Sequence, residues 1–135
     1  FTVYGPRQRP DLAISKFIRA VLDGAEVPLF GDGSSRRDYT YCHDATSAFV
    51  AAMSVASQFE AINVASGRAI FLRDVLNEIV AATNREPKIR RLPAQAGDLD
   101  ATEANIDKAR ALLRYAPSTP FEDGIRSQVA WTLNR

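Results

Sequence analysis

The sequence predicts a mixed α/β fold with short, irregular strands, and three observations carry that reading. Apolar residues recur at helical spacing, first at Ile14, Phe17, Ile18, Val21 and Leu22. Between such stretches stand short β-branched and aromatic runs, residues 1–4 and 27–30 among them, each stopped by a glycine turn. The 135 residues, 46% hydrophobic and 24% charged, can bury roughly two-thirds of their unfolded surface, so a core forms without disulfide or metal.

The elements follow in order. Residues 1–4 read as a strand ended by Gly5-Pro6. A polar loop comes next, with Pro10 suited to open the first helix and Gly24 suited to close it as a left-handed cap. Residues 27–30 form a short strand before the turn Gly31-Asp32-Gly33, and residues 37–41 form another. Asp44 can cap a second helix whose apolar face is Ala45, Ala48, Phe49, Ala52 and Met53. Its alanines imply close packing against another element. Residues 61–65 read as a buried strand. Leu72, Val75, Leu76, Ile79 and Val80 mark a third helix, and residues 89–92 a charged edge strand. Asp107 can cap a short helix carrying Ala109, Leu112 and Leu113. Thr119-Pro120-Phe121-Glu122 reads as a capping box with proline at the first helical position, opening a last helix through Ile125, Val129 and Leu133. There is no internal repeat, low-complexity stretch or interdomain linker, so residues 1–135 read as one unit.

Composition removes several classes. A net charge of +1 lacks the basic excess of a nucleic-acid binder. No apolar run is long enough to span a membrane. The single cysteine, Cys42, fits a reducing compartment, so the expected location is cytoplasmic. The opening Phe1-Thr2-Val3-Tyr4-Gly5-Pro6 does not read as a signal peptide. It reads as a strand entering a turn, without an initiator Met, and the expectation is the C-terminal portion of a longer protein.

The segment richest in chemistry runs from Phe30 to Tyr41. Its Gly-Asp-Gly turn leads into Arg37-Asp38-Tyr39 on a strand. Guanidinium pairs with phosphate oxygens in a planar fork, aspartate and tyrosine can meet hydroxyls, and Phe30 can stack on a base. Arg37 and Tyr39 lie two apart and so share a strand face, which serves equally as a phosphate or ribose site and as a solvated surface. Arg7 and Arg9 follow a strand end, where ligands of open α/β sheets sit, although spacing alone favours a solvated basic loop. Cys42-His43-Asp44 has triad-like residue types, but neighbours on a strand diverge; it reads as a buried Cys, a strand-end His and a capping Asp. Lys88-Ile89-Arg90-Arg91 reads as the solvent side of an edge strand. Gln95-Ala96-Gly97-Asp98 reads as a turn, with Asp98 able to accept from a ligand hydroxyl. Gly31 and Gly33 are followed by Arg36, so no G-x-G-x-x-G is present, and no Tyr has a Lys four residues on. No metal site is read, and His43 is the only histidine.

Taken in register, three segments resemble the extended short-chain dehydrogenase/reductase family, specifically its NAD-dependent nucleotide-sugar epimerases and dehydratases. They are Tyr4-Gly5-Pro6-Arg7-Gln8-Arg9-Pro10-Asp11, then Phe30-Gly31-Asp32-Gly33 with Arg37-Asp38-Tyr39-Thr40-Tyr41, then Gly97-Asp98 with Ala104-Asn105-Ile106-Asp107-Lys108-Ala109. Residues 1–11 look most like UDP-glucuronate 4-epimerases. The resemblance implies a mixed, small substrate-binding domain in which residues 1–5 and about 39–65 pack with a Rossmann domain outside this chain. It implies Phe30 near the nucleotide base, Arg37 on the diphosphate with Tyr39 beside it, and Asp98 toward the ribose. It also implies Thr2 near a sugar carboxylate and Arg9 near the sugar–diphosphate region. In such enzymes NAD takes a hydride from sugar C4, a Tyr-x-x-x-Lys tyrosine takes the proton, and the rotated keto sugar is reduced again. Those catalytic and NAD-binding groups are expected upstream of Phe1, so this chain alone holds neither catalytic residues nor cofactor. A nucleotide-sugar 4,6-dehydratase fragment and a non-catalytic nucleotide-sugar or anion-binding module are the alternatives. An unpartnered alanine-rich face implies an exposed apolar patch and self-association. Three residues depart from the family pattern: Gln95 for a second diphosphate Arg, Phe71 for a Ser/Thr helix cap, and Arg114 for a helix-ending Gly.

Overall fold

A computed structural model describes residues 1–56, 59–94, 97 and 99–134. In chain order it has β1 (Thr2–Tyr4), α1 (Ala13–Asp23), β2 (Glu26–Phe30), β3 (Arg36–Tyr41) and α2 (Cys42–Ala52). Then come β4 (Ala69–Phe71), α3 (Leu72–Thr83), β5 (Lys88–Leu92), β6 (Ala101–Thr102), α4 (Asp107–Leu113) and α5 (Phe121–Leu133). The mixed α/β class expected from the pattern is the one observed.

β3 organises the larger sheet. Its second half pairs parallel with β1, Thr2 opposite Tyr39. Its first half is flanked by β4, antiparallel, and by β6, parallel, so Arg37 lies between Ile70 and Thr102. β2 and β5 form a separate parallel pair. Helices α1, α3 and α5 pack on one another and bury one core with Ile14, Ile18, Ile79 and Ile125, each 1% exposed or less. Each such side chain contributes about 1.5–3 kcal/mol through burial. A second core joins α2 and α4 through Ala48, Ala65, Ala109 and Tyr115.

Several expectations are corrected. Residues 61–65 are not a strand; the segment is secured by a charge instead. The Asp38 carboxylate accepts the Ser66 N–H (2.8 Å), the Ser66 hydroxyl (2.7 Å), the Gly67 N–H (3.0 Å) and the Ala104 N–H (3.3 Å). Asp44 is not the N-cap of α2, which starts two residues earlier; its carboxylate accepts the backbone N–H groups of Ser118 and Thr119. With Thr119 so engaged, Pro120 is the N-cap of α5, and no side chain caps it. The Asn105 side chain, not Asp107, takes the first N–H of α4. α1 opens at Ala13, beyond Pro10. Arg114 accepts the left-handed conformation (φ 52°) in place of glycine, a cost of about 1 kcal/mol.

Tyr4 crosses the core to touch α5, donating to the Phe121 carbonyl at 3.3 Å. Its phenol lies where a side chain on Gly124 would stand, with ring carbons 2.7 Å from the position a Cβ would take there. Burial, with Asp44 adding to it, pushes the Tyr4 phenol well above the ordinary tyrosine range. The Tyr115 phenol is pushed up to about 12 by burial, then by Asp44 and Asp38.

Two measurements test this packing. Asp38→Asn leaves one acceptor where four donors converge and is expected to cost about 3 kcal/mol in urea unfolding. Because folding keeps Tyr4 and Tyr115 protonated, the stability they contribute is complete below ~pH 10 and is lost as pH rises through the folded values. Melting temperature should therefore fall between pH 10 and about 12, with phenolate absorbance of the folded chain lagging behind that of the urea-unfolded chain.

Candidate functional site: a bipartite groove at one end of β3

Alternation along β3 sets Arg37 and Tyr39 on one face and Asp38 and Thr40 on the other. On the Arg37 face lie two adjoining concavities. One, of about 320 Å³, is lined by Phe30, Ser35, Tyr39 and Leu72. The other, of about 780 Å³, is lined by Phe1, Val3, Arg7, Gln8 and Arg9, with Thr102 also in its wall. Thr2, Leu12 and Arg37 line both. Arg37 is partly buried, and its Nη1 donates to the Arg36 carbonyl at 2.9 Å.

Five of the six residues singled out in the sequence thus line one continuous groove. Phe30 and Tyr39 are at one end, Arg9 at the other, and Thr2 and Arg37 at the junction. Phe30 is 38% exposed, as a stacking surface needs, whereas Tyr39 is 5% exposed and sits largely within the core. Arg9 pairs with Asp11 at 3.2 Å on the surface, a contact that adds little energy. Asp98, the sixth, and Gln95 lie outside the described residues. Asp38 is not free to meet ligand hydroxyls: it is 1% exposed and saturated by protein donors.

The turn between β2 and β3 is locked from several sides. Gly31 donates to the Leu92 carbonyl (2.9 Å), closing the β2–β5 pair, and Arg36 donates to Asp100 (2.9 Å). Asp32 accepts the Ser34 N–H, and hydrogen bonds from Ser34 hold its carboxyl below the usual range. The Ser35 carbonyl accepts the Leu72 N–H (2.8 Å) and the Gly33 carbonyl the Arg73 N–H (3.2 Å). These carbonyls fill the first two orphan donors at the start of α3. That explains how Phe71 can replace a Ser/Thr cap: the cap is supplied from the turn. Freed of that duty, the Phe71 ring carries the Arg73 guanidinium at 4.3 Å and that of Arg36 at 5.9 Å.

A third concavity, of about 410 Å³, lies toward α5 and includes Thr40, Asp44, Arg68 and Glu122. Among the described residues, the Thr40 hydroxyl has no hydrogen-bond partner there. Cys42 is half-buried with its thiol pushed up by burial, the opposite of an activated nucleophile. The cations of β5 face solvent, with Arg90 3.8 Å from Glu26. Reading the sequence misses Gln8, Leu12 and Thr102 as groove residues. Thr102 is on a two-residue strand, too short for any periodicity to reveal.

Comparison with known proteins gives this groove a context. Residues 1–65 match the family model for NAD dependent epimerase/dehydratase proteins. An uncharacterized UDP-glucose epimerase of Bacillus subtilis is 33% identical over 97% of this chain and 42% of its own length. A UDP-glucuronate 4-epimerase of Thermodesulfobacterium geofontis is 32% identical over 98% of this chain and 41% of its own. The crystal structure of the Bacillus cereus UDP-glucuronic acid 4-epimerase with UDP-glucuronic acid and NAD superposes with a TM-score of 0.93 at 31% identity, covering 99% of this chain and 43% of that one. The Thermotoga maritima UDP-glucose 4-epimerase with UDP-glucose gives 0.92 at 29% identity, covering 98% and 44%. The chain belongs to the NAD-dependent epimerase/dehydratase family. It spans about two-fifths of the length of the curated relatives it matches.

The turn supplies a direct test. Gly33 has φ 83°, and a Cβ there would stand 3.4 Å from that of Arg73. Gly33→Ala should cost about 1–2 kcal/mol in thermal unfolding and loosen the first turn of α3 in amide exchange.

Proposed function

We propose that this chain is the substrate-binding part of an NAD-dependent 4-epimerase acting on a UDP-sugar, with a UDP-hexuronate as the preferred ligand. The observation that carries the reading is the groove itself: an exposed aromatic edge at Phe30, a guanidinium at Arg37 on a strand paired on both sides, and a second cation at Arg9 beyond it. A base, a diphosphate and an acidic sugar follow the same order. Arg37 supplies fixed donors for phosphate oxygens, Thr2 a hydroxyl at the junction, and Arg9 charge toward the sugar. Asp98 is assigned to the ribose by family pattern. The NAD that relatives bind finds no counterpart in this turn. Its carbonyls occupy the first two N–H groups of α3, so that helix start is not offered to a pyrophosphate. NAD and the catalytic tyrosine are therefore assigned to the rest of the protein.

The same reading assigns residues 1–5 and about 39–65 to an interface with that remainder. Phe1, Val3 and Phe49 are 41–73% exposed and line a groove of about 420 Å³ with Ala45, Ala48 and Ile62; Val50 and Met53 on α2 are also exposed, at 61% and 85%. An apolar surface of this kind favours association. The isolated chain is expected to elute from size exclusion as a self-associated species; a clean monomer counts against this assignment.

Titration calorimetry with UDP-glucuronate tests the site. Arg37→Ala should weaken binding at least ~10-fold, whereas Arg110→Ala, on α4 away from the groove, should stay within ~2-fold. Equal losses reject the assignment.

A further inference from the structure

Gln128 is the polar member of an otherwise apolar inward face of α5, and it is 1% exposed. Its amide is engaged at both ends. Oε1 accepts the Gly5 N–H at 2.8 Å, and Nε2 donates to Gln8 Oε1 at 2.9 Å and to the Ser15 hydroxyl at 3.1 Å. The Ser15 hydroxyl donates in turn to Gln8 Oε1 (3.0 Å), and Gln8 Nε2 donates to the Val3 carbonyl (2.8 Å). These bonds converge on one short loop, directly or through Ser15 of α1. Gln8 N–H closes a turn onto the Gly5 carbonyl at 3.1 Å, with Pro6 and Arg7 at its centre and Arg7 at φ 67°. That is the pattern of a type II turn, whose third position favours glycine. A strained residue persists there only when its surroundings over-determine it. The same loop carries Arg7, Gln8 and Arg9 into the wall of the larger concavity.

We infer that Gln128 is a positioning residue for the sugar end of the groove. From across the core it locks the Gly5–Gln8 turn so that the guanidinium groups of Arg7 and Arg9 form the cationic wall. It touches no ligand and acts through Gln8. The inference rests on the UDP-sugar reading given above and adds to it a buried hydrogen-bond clamp formed by the C-terminal helix.

Gln128→Leu keeps the volume and removes the three bonds. In the unliganded chain, exchange of the Gly5 and Gln8 amides should quicken about tenfold or more while the α3 amides hold. Affinity for UDP-glucuronate should fall about tenfold, and that for UMP should stay within ~2-fold, because only the sugar end is displaced. Gln128→Glu can donate to Gln8 only when protonated, so its UDP-glucuronate affinity should recover as pH drops from ~8 to ~5, which a merely space-filling role would not produce. Unchanged exchange at both amides, equal losses for the two nucleotides, or a flat pH profile overturns the inference. If Gln128→Leu does not fold, Gln8→Ala cuts the same clamp from its surface side and is read by the same exchange and binding measurements. A parent chain that binds neither nucleotide, with loop amides that still loosen in Gln128→Leu, rejects the UDP-sugar reading and the functional half of this inference, leaving the clamp as architecture.

Discussion

The buried carboxylate of Asp38 is the constraint on which the arrangement rests. An anion so far from water persists only when its lone pairs are filled, and four protein donors fill them. Those donors come from residues 66–67 and 104, distant in sequence from each other and from β3. One charge thus fastens both segments of the second core to the middle strand. It also fixes how β3 is rotated about its own axis. With Asp38 turned inward, alternation leaves Arg37 and Tyr39 on the opposite face, so the guanidinium is aimed by its neighbour's burial.

A second carboxylate acts in the same way one element later. Asp44, in the first turn of α2, accepts the N–H groups just before α5. That brings α5 against Tyr4 and β1, and Gly124 leaves room for the Tyr4 ring. The turn at residues 31–35 works through its backbone: its carbonyls start α3, and α3 packs on α1 and α5. The loops that line the groove are held by the parts of the molecule that bury most apolar surface, which is what a preformed groove requires.

Much of this was legible in the residues. Helical periods in α1 and α3 are strong because one face of each is fully buried. Gly24 marks the end of α1 because only a left-handed residue closes it cheaply. The Gly31-Asp32-Gly33 turn and the shared face of Arg37 and Tyr39 follow from local rules. What was not legible depends on partners far along the chain. Asp38 and Asp44 look like a ligand-facing group and a helix cap until residues 66, 104 and 118–119 arrive to claim them. Residues 61–65 carry a strand-like composition but pair with no strand, because a side-chain anchor sets their path. Gln128 does leave a trace: an amide between Ile125 and Val129, on a face that is otherwise apolar.

The wall bearing Phe30 and the strand bearing Arg37 belong to different sheets, joined by five residues whose ends are tied to Leu92 and Asp100. That bridge acts as a calliper. The gap between its jaws is set by backbone geometry rather than by side-chain identity, so it fixes how far the Phe30 ring stands from the Arg37 guanidinium. Lengthening or shortening the bridge by a single residue would reset the gauge without altering either jaw.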